Sequence, residues 1–186
     1  SDVYKRQSWT LARRGHQVTL FEARAELGGQ VRWWAQAESR HELIGIISWL
    51  EDRIAEEDVS VILNHKVREA DLEKFDEIII AAGSTGLKHG WTMLHPEKWN
   101  GNCLPGADST HVFSYTELLE EQPKLGEQVL IFDIMGGRQG AVVAEILARQ
   151  GKVVQFVTQL GQASPDLASS RDWGKVHGML KNLGVK

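Results

Sequence analysis

The sequence predicts an α/β chain with parallel sheets, and three observations predict it. Residues 11–22 and 146–158 repeat one pattern: the end of a helix, a glycine stop at Gly15 or Gly151, and an apolar strand. Between them, residues 78–82 form a continuous Ile-Ile-Ile-Ala-Ala run stopped by Gly83, as in a strand buried on both faces. Strands alternating with helical patterns place helices over both faces of parallel sheets.

The glycine spacing refines this into nucleotide-binding units. In such a βαβ unit the last glycine of G-x-G-x-x-G opens the helix, and a turn glycine closes it roughly 11 residues later. Counting back from Gly151 reaches Gly140. The same count from Gly15 reaches Tyr4, inside the polar heptapeptide Ser1-Asp2-Val3-Tyr4-Lys5-Arg6-Gln7, where there is no glycine. The expectation is therefore two Rossmann-like dinucleotide-binding units, truncated at both ends. Residues 1–7 are a non-native segment outside the fold. Residues 8–108 are a first unit lacking its first strand and glycine loop, and residues 109–186 are a second partial unit.

Along the first unit, residues 8–14 read as a helix end, residues 17–22 as a buried parallel strand, and residues 25–30 as a glycine-bearing loop. In residues 40–56 the apolar positions Leu43, Ile44, Ile47, Leu50 and Ile54 recur at spacings of three and four, giving a helix with one buried face. Residues 58–63 alternate as a strand, residues 64–74 are a polar connection, and residues 75–83 form the next strand. The aperiodic stretch 84–108 crosses to the second unit. There residues 116–121 are a short helix and residues 128–133 a strand, and residues 183–186 read as a helix end entering a strand.

Composition limits the function classes. A chain of 186 residues with 42% apolar and 25% charged residues is an ordinary globular composition. The net charge of −4, with 21 dispersed basic residues, gives no electrostatic footprint for nucleic acid. No apolar run approaches the roughly 20 residues of a bilayer crossing. With a single cysteine, Cys103, a disulfide framework and a multi-cysteine metal or iron–sulfur site within this segment are excluded. Cys103 reads as a plain buried thiol, and the dispersed histidines, His89 and His95 being the nearest pair, lack metal-ligand spacing. Trp33, Trp34, Trp49, Trp91 and Trp99 read as core residues. Cytoplasm is the expected location.

Several residues carry the chemistry. Glu22 ends the strand of residues 17–22, where a dinucleotide fold places the carboxylate that accepts hydrogen bonds from the adenosine ribose. The following Leu27-Gly28-Gly29-Gln30 turn has paired glycines, which let the backbone approach a flat or charged ligand and offer N–H donors. Ala82 and Gly83, within Ala-Ala-Gly-Ser, form a strand end that permits close backbone contact with a cofactor. In the second unit Gly137 and Gly140 take the second and third glycine positions of G-x-G-x-x-G, while Met135 holds the first. The helix after Gly140 offers unpaired N–H groups to a phosphate, and Arg138 adds charge. Its second strand ends in Val157-Thr158-Gln159 rather than an acid, which leaves NADH, NADPH and a bound adenine nucleotide open. No catalytic acid, base or metal ligand is nominated.

On these residues, together with Glu-Leu-Ile-Gly-Ile-Ile-Ser-Trp-Leu at 42–50, Leu-Pro-Gly-Ala-Asp at 104–108 and Ala144-Glu145, the chain resembles the C-terminal region of the NADH:flavin oxidoreductases typified by 2,4-dienoyl-CoA reductase, trimethylamine dehydrogenase and N-methyl amine demethylases. Ala82 stands where that pattern has threonine. The resemblance implies a larger enzyme, with an N-terminal β/α barrel carrying FMN and a 4Fe–4S cluster. It implies FAD, or ADP alone, at Glu22, Gly28, Gly29, Gln30, Ala82 and Gly83, and NAD(P)H at Gly137, Arg138 and Gly140. Residues 8–108 are then the FAD- or ADP-binding part and residues 109–186 the NAD(P)-binding-like part. Reducing equivalents pass between the nicotinamide nucleotide and the flavin and iron–sulfur centres. Two alternatives are a non-catalytic ADP-binding module of an amine dehydrogenase and a stand-alone flavoprotein subunit similar to the small subunit of glutamate synthase. Lacking its first phosphate loop, the chain alone is expected to be inactive and to bind FAD poorly or not at all. Enoyl thioester and N-methyl amine substrates stay open.

Overall fold

The computed structural model describes residues 2–92, 95–97 and 104–186. The chain divides into two compact units, Ser1–Ser84 and Thr85–Lys186.

In the first unit, helix α1 (Asp2–Arg13) ends at Gly15, whose φ of 88° is open to glycine at little cost. The Gly15 N–H donates to the Ala12 carbonyl at 2.9 Å and the His16 N–H to Leu11 at 3.2 Å, the paired bonds of a Schellman stop. Strand β1 (Thr19–Phe21) follows, then α2 (Gln30–Trp34), α3 (Leu43–Glu56) and β2 (Ser60–Ile62). β1 and β2 pair in parallel with Thr19 opposite Ser60, so the α2–α3 segment is the crossover that a parallel pair requires. α3 buries Ile47, Leu50 and Ile54, one face of the periodicity, and packs on α1 and α2.

The second unit repeats the logic. After α5 (Tyr115–Glu121), strand β3 (Gln128–Asp133) leads into α6 (Arg138–Arg149) and β4 (Val153–Thr158). β3 and β4 pair in parallel over their full lengths, from Gln128 opposite Val153 to Asp133 opposite Thr158. α6 also ends in a Schellman stop, with the Gly151 N–H on Ala148 and the Lys152 N–H on Leu147, both at 3.0 Å. Thus the repeat visible in the sequence is the same pair of bonds in both units. All residues of α6 from Ala141 to Leu147 are buried, so this helix is covered on every side, with α7 (Trp173–Asn182) among its neighbours. The backbone of Lys186 bonds the other edge of β4, donating to Val154 at 3.1 Å and accepting from Phe156 at 2.7 Å.

The structure corrects several expectations. Residues 75–83 do not form a strand: the stretch is unpaired in either sheet, and Ile80 is 82% exposed. A β-branched run states a local preference, but a parallel strand also needs a neighbour, and each sheet has two strands among the described residues. For the same reason β1 is only half-buried and β2 exposed, not covered on both faces. The units divide at Ser84 rather than at 108, because Gly86 and Lys88 bind Thr116 and Glu117, at 3.0 and 3.1 Å. Residues 2–7 continue α1 instead of standing outside the fold, and the polar connection contains a short helix, α4 (Glu69–Leu72). Trp33 is buried, but Trp49 is exposed and meets Trp9 edge to face at 5.5 Å. Trp99 and Cys103 lie outside the described residues.

Candidate dinucleotide site

In the first unit Glu22 stands at the carboxyl end of β1, the place where open α/β sheets bind ligands, and Gln30 joins the glycine turn to Ser84. Glu22 directly follows the strand, and its N–H still donates to the Ile62 carbonyl at 2.9 Å as an extension of the ladder. One carboxylate oxygen accepts the Arg24 N–H at 2.9 Å, which fixes the side chain at the turn. A carboxylate has acceptor capacity beyond one such bond, so Glu22 keeps the chemistry of a ribose-hydroxyl acceptor. The Arg24 guanidinium lies over the buried Trp33 ring, 4.6 Å from its centroid, and closes this side of the turn.

The glycine pair is required by shape. Gly28 has φ 121°, and a Cβ there would sit 2.9 Å from both Arg32 Cγ and Ile47 Cδ1. Gly29, at φ 49° and ψ −131°, is the N-cap of α2. Arg32 holds the turn by donating from Nε to the Leu27 carbonyl at 2.5 Å and pairing with Glu26 and Glu51 at 3.3 and 3.4 Å. Gln30 is the link to the other motif. Its side-chain Nε2 donates to the Ser84 carbonyl at 2.5 Å and to the Ser84 hydroxyl at 3.2 Å. This brings the glycine turn against the end of residues 75–84, beside Gly83 at φ 74° and the exposed Ala82. Glycine at 28 and 29 and the acid at 22 fit the adenosine end of a dinucleotide.

The second unit keeps the packing role of its glycines but not the open cradle. A Cβ on Gly140 would lie 2.9 Å from Phe156 Cζ and 3.3 Å from Asp133 Cβ, so this glycine lets α6 approach the sheet. A Cβ on Gly136, at φ 74°, would lie 2.5 Å from Leu160 Cδ1 and 3.1 Å from Pro165, a position for glycine that the motif count did not single out. Gly137 is the N-cap of α6, and a Cβ on it would meet the Gln139 amide oxygen. Arg138 is directed at Asp172 Oδ2, 2.7 Å away. Asp133, also missed, donates no charge relief to an anion: its Oδ1 accepts the N–H groups of Met135 and Gly136 at 3.0 and 3.2 Å. Its signal in the sequence is an acid two residues before the first glycine position, where a dinucleotide strand is apolar. The residues at this turn therefore do not fit the pyrophosphate of a nicotinamide nucleotide.

Two carboxylates have identifiable environments. In the second unit the Ser114 backbone N–H, then its hydroxyl and Lys88, hold the Glu117 carboxyl below the usual glutamate range. In the first unit the Arg68 backbone N–H, then His65, do the same for Asp71. Both belong to helix starts, outside the candidate site. Among the described residues no group of three or more His, Cys, Asp or Glu could hold a metal, and no helix is long and apolar enough to cross a membrane.

Comparison with known proteins agrees with this architecture. A family described as NAD(P)-binding Rossmann-like domain matches residues 8–55, which contain β1, the glycine turn and most of α3. A probable N-methylproline demethylase of Rhizobium meliloti is 33% identical over 83% of this chain and 21% of its own length. An N,N-dimethylglycine/sarcosine dehydrogenase of Chromohalobacter salexigens is 30% identical over 79% of this chain and 20% of its own. The chain thus spans about a fifth of the length of the curated relatives it matches. Among solved structures, the 6-hydroxypseudooxynicotine amine oxidase of Pseudomonas geniculata N1 superposes with a TM-score of 0.85 at 26% identity, covering 96% of this chain and 26% of that one. With the parallel two-unit fold, the glycine turns and these relatives together, the chain belongs to the dinucleotide-binding region of the NADH:flavin oxidoreductase family.

Proposed function

We propose that this chain is the nucleotide-binding part of a larger, cytoplasmic flavin-dependent oxidoreductase, and that its first unit holds the adenosine end of FAD, or ADP. Glu22 accepts the ribose hydroxyls, Gly28 and Gly29 present backbone N–H groups, and Ala82 and Gly83 lie against the bound nucleotide. The observation that carries this is the Gln30 to Ser84 hydrogen bond, which joins two glycine-bearing motifs 54 residues apart at one edge of the unit. Glycine-bearing motifs meet in this way where backbone must approach a ligand.

The proposed parent enzyme passes reducing equivalents between a nicotinamide nucleotide and flavin and iron–sulfur centres, the FMN and 4Fe–4S cluster being held by an N-terminal β/α barrel. A bound flavin supplies hydride and electron chemistry, while the protein orients it and excludes competing reactions. No residue described here acts as general acid or base in that reading. A second reading, a non-catalytic ADP-holding module, is favoured by the second unit, where Asp133 takes the turn N–H groups.

The test is titration of the isotopically labelled chain with ADP and with FAD, read at the backbone amides. Shifts at residues 22–31 and 82–84 that diminish in Glu22→Gln are expected. Silence of those amides at millimolar nucleotide, or shifts unaffected by Glu22→Gln, sinks the assignment.

A further inference from the structure

We propose that Asp133 closes the N-terminus of α6 to phosphate, so that the second unit carries the strand, turn and helix of a nicotinamide site without binding NAD(P)H there. The inference rests on reading the chain as a dinucleotide-binding region and concerns the half of it that the first-unit assignment leaves aside.

In an open phosphate turn, the backbone N–H groups between strand and helix and the positive end of the helix dipole await an anion from the ligand. Here the anion is part of the chain. Asp133 ends β3, is 8% exposed, and accepts the N–H groups of Met135 and Gly136 through Oδ1. Its other oxygen, Oδ2, is enclosed with no hydrogen-bond partner among the described residues. A pyrophosphate arriving at this turn would find two of its donors taken and a full negative charge buried beside them. The helix end contributes about half a positive charge, less than the carboxylate removes.

Arg138 does not restore the balance. Its Nη2 pairs with Asp172 Oδ2 at 2.7 Å. That pair is formally neutral, so it leaves the charge of Asp133 uncompensated. Nor does the far end of the site compensate, since β4 ends at Thr158, whose hydroxyl accepts the Leu160 N–H at 3.1 Å, with no acid to grip a ribose. The Gln139 amide stands where a Cβ on Gly137 would be. The glycines at 136 and 140 are then kept for packing against Leu160, Pro165 and Phe156 rather than for ligand approach.

The experiment uses the full 186-residue chain and two probes, NADPH and inorganic pyrophosphate, with residue-resolved amide shifts as the readout. In the native chain the amides of residues 135–139 stay unmoved by either probe. In Asp133→Asn, which retains an acceptor for the Met135 and Gly136 N–H groups but removes the charge, the same amides respond, with apparent affinity raised about tenfold or more as expected for relief of like-charge juxtaposition. Saturable shifts at residues 135–139 in the native chain overturn the proposal, and so does a folded Asp133→Asn chain that stays silent toward both probes. If that variant does not fold, Asp133→Ser replaces it under the same expectation. Shifts at residues 22–31 report separately on the first unit, so failure there removes the first-unit assignment without touching this result.

Discussion

The side-chain amide of Gln30 donates to both the carbonyl and the hydroxyl oxygen of Ser84, at 2.5 and 3.2 Å, and so ties the start of α2 to the end of the extended stretch that closes the first unit. Both residues are partly open to solvent, so the bond's net stabilisation is modest, about 1 kcal/mol. Gln30→Ala should leave the melting temperature nearly unchanged yet raise amide exchange at residues 83–85 severalfold and weaken the ADP response at Gly83. Equal exchange in native and variant chains would show that the link does not position the strand end.

Glycine is needed at position 28 for two reasons, and one of them, the crowding of a Cβ, is absent at 15. Gly28 combines φ 121° with side-chain atoms 2.9 Å from where a Cβ would stand, whereas a Cβ on Gly15, at φ 88°, would meet open space. Gly15→Ala should cost about 1 kcal/mol, the strain of a left-handed alanine alone. Gly28→Ala should cost clearly more and should disturb the Ile47 methyl resonance. Urea unfolding of the two variants tests the ranking, and equal losses would contradict it.

Gly140 tests helix-to-sheet approach. An alanine there presses on the Phe156 ring and on Asp133 Cβ, at 2.9 and 3.3 Å. The expected loss is about 1–3 kcal/mol, the range for overpacking a tight contact. Adding Phe156→Leu should return part of it. If the double variant is no more stable than Gly140→Ala, the ring is not the limiting contact.

Glu117 links stability to pH. Its Oε2 accepts the Ser114 N–H at 2.7 Å, its own N–H donates to the Ser114 hydroxyl at 3.3 Å, and Lys88 lies 3.1 Å from Oε1. These contacts favour the ionised acid and lower its pKa in the folded chain. The stabilisation is therefore complete above the unfolded value of about 4.3 and is lost as pH falls through the lower folded value. Glu117→Gln should flatten the acid limb of a stability–pH curve. Ser114→Ala removes the cap of α5 and should cost about 1 kcal/mol near neutrality. An unchanged acid limb in Glu117→Gln would rule out this linkage.

Local signals were legible in the sequence, and distant pairings were not. The Gly15 and Gly151 stops, the buried face of α3 and the start and end of β3 follow from residue type and spacing within a few positions. Gly140 was found by counting alone, and its contact with Phe156 shows why the count holds. The extended run at residues 75–83 failed as a strand because pairing depends on chain far away in sequence. At the site, Glu22, Gly28 and Gly29 were legible as strand end and turn, whereas the pairing of Gln30 with Ser84 depends on a fold that joins residues 54 positions apart. Asp133 closes the strand expected at residues 128–133, yet an acid at a strand end gives no sign of which N–H groups its oxygen will take.

Ile78, Ile79 and Ile80 stand in the first unit as an extended, β-branched run with open backbone and side chains 49%, 54% and 82% exposed. Such a segment is a template for strand addition from another molecule. Its consequence is colloidal: at high concentration, self-association of the chain should begin at this run, through main-chain bonds that any apolar strand can make. Ile79→Lys should raise the concentration at which light scattering appears while leaving the unfolding midpoint in place. A solution of this protein then clouds for a reason unrelated to how firmly it is folded.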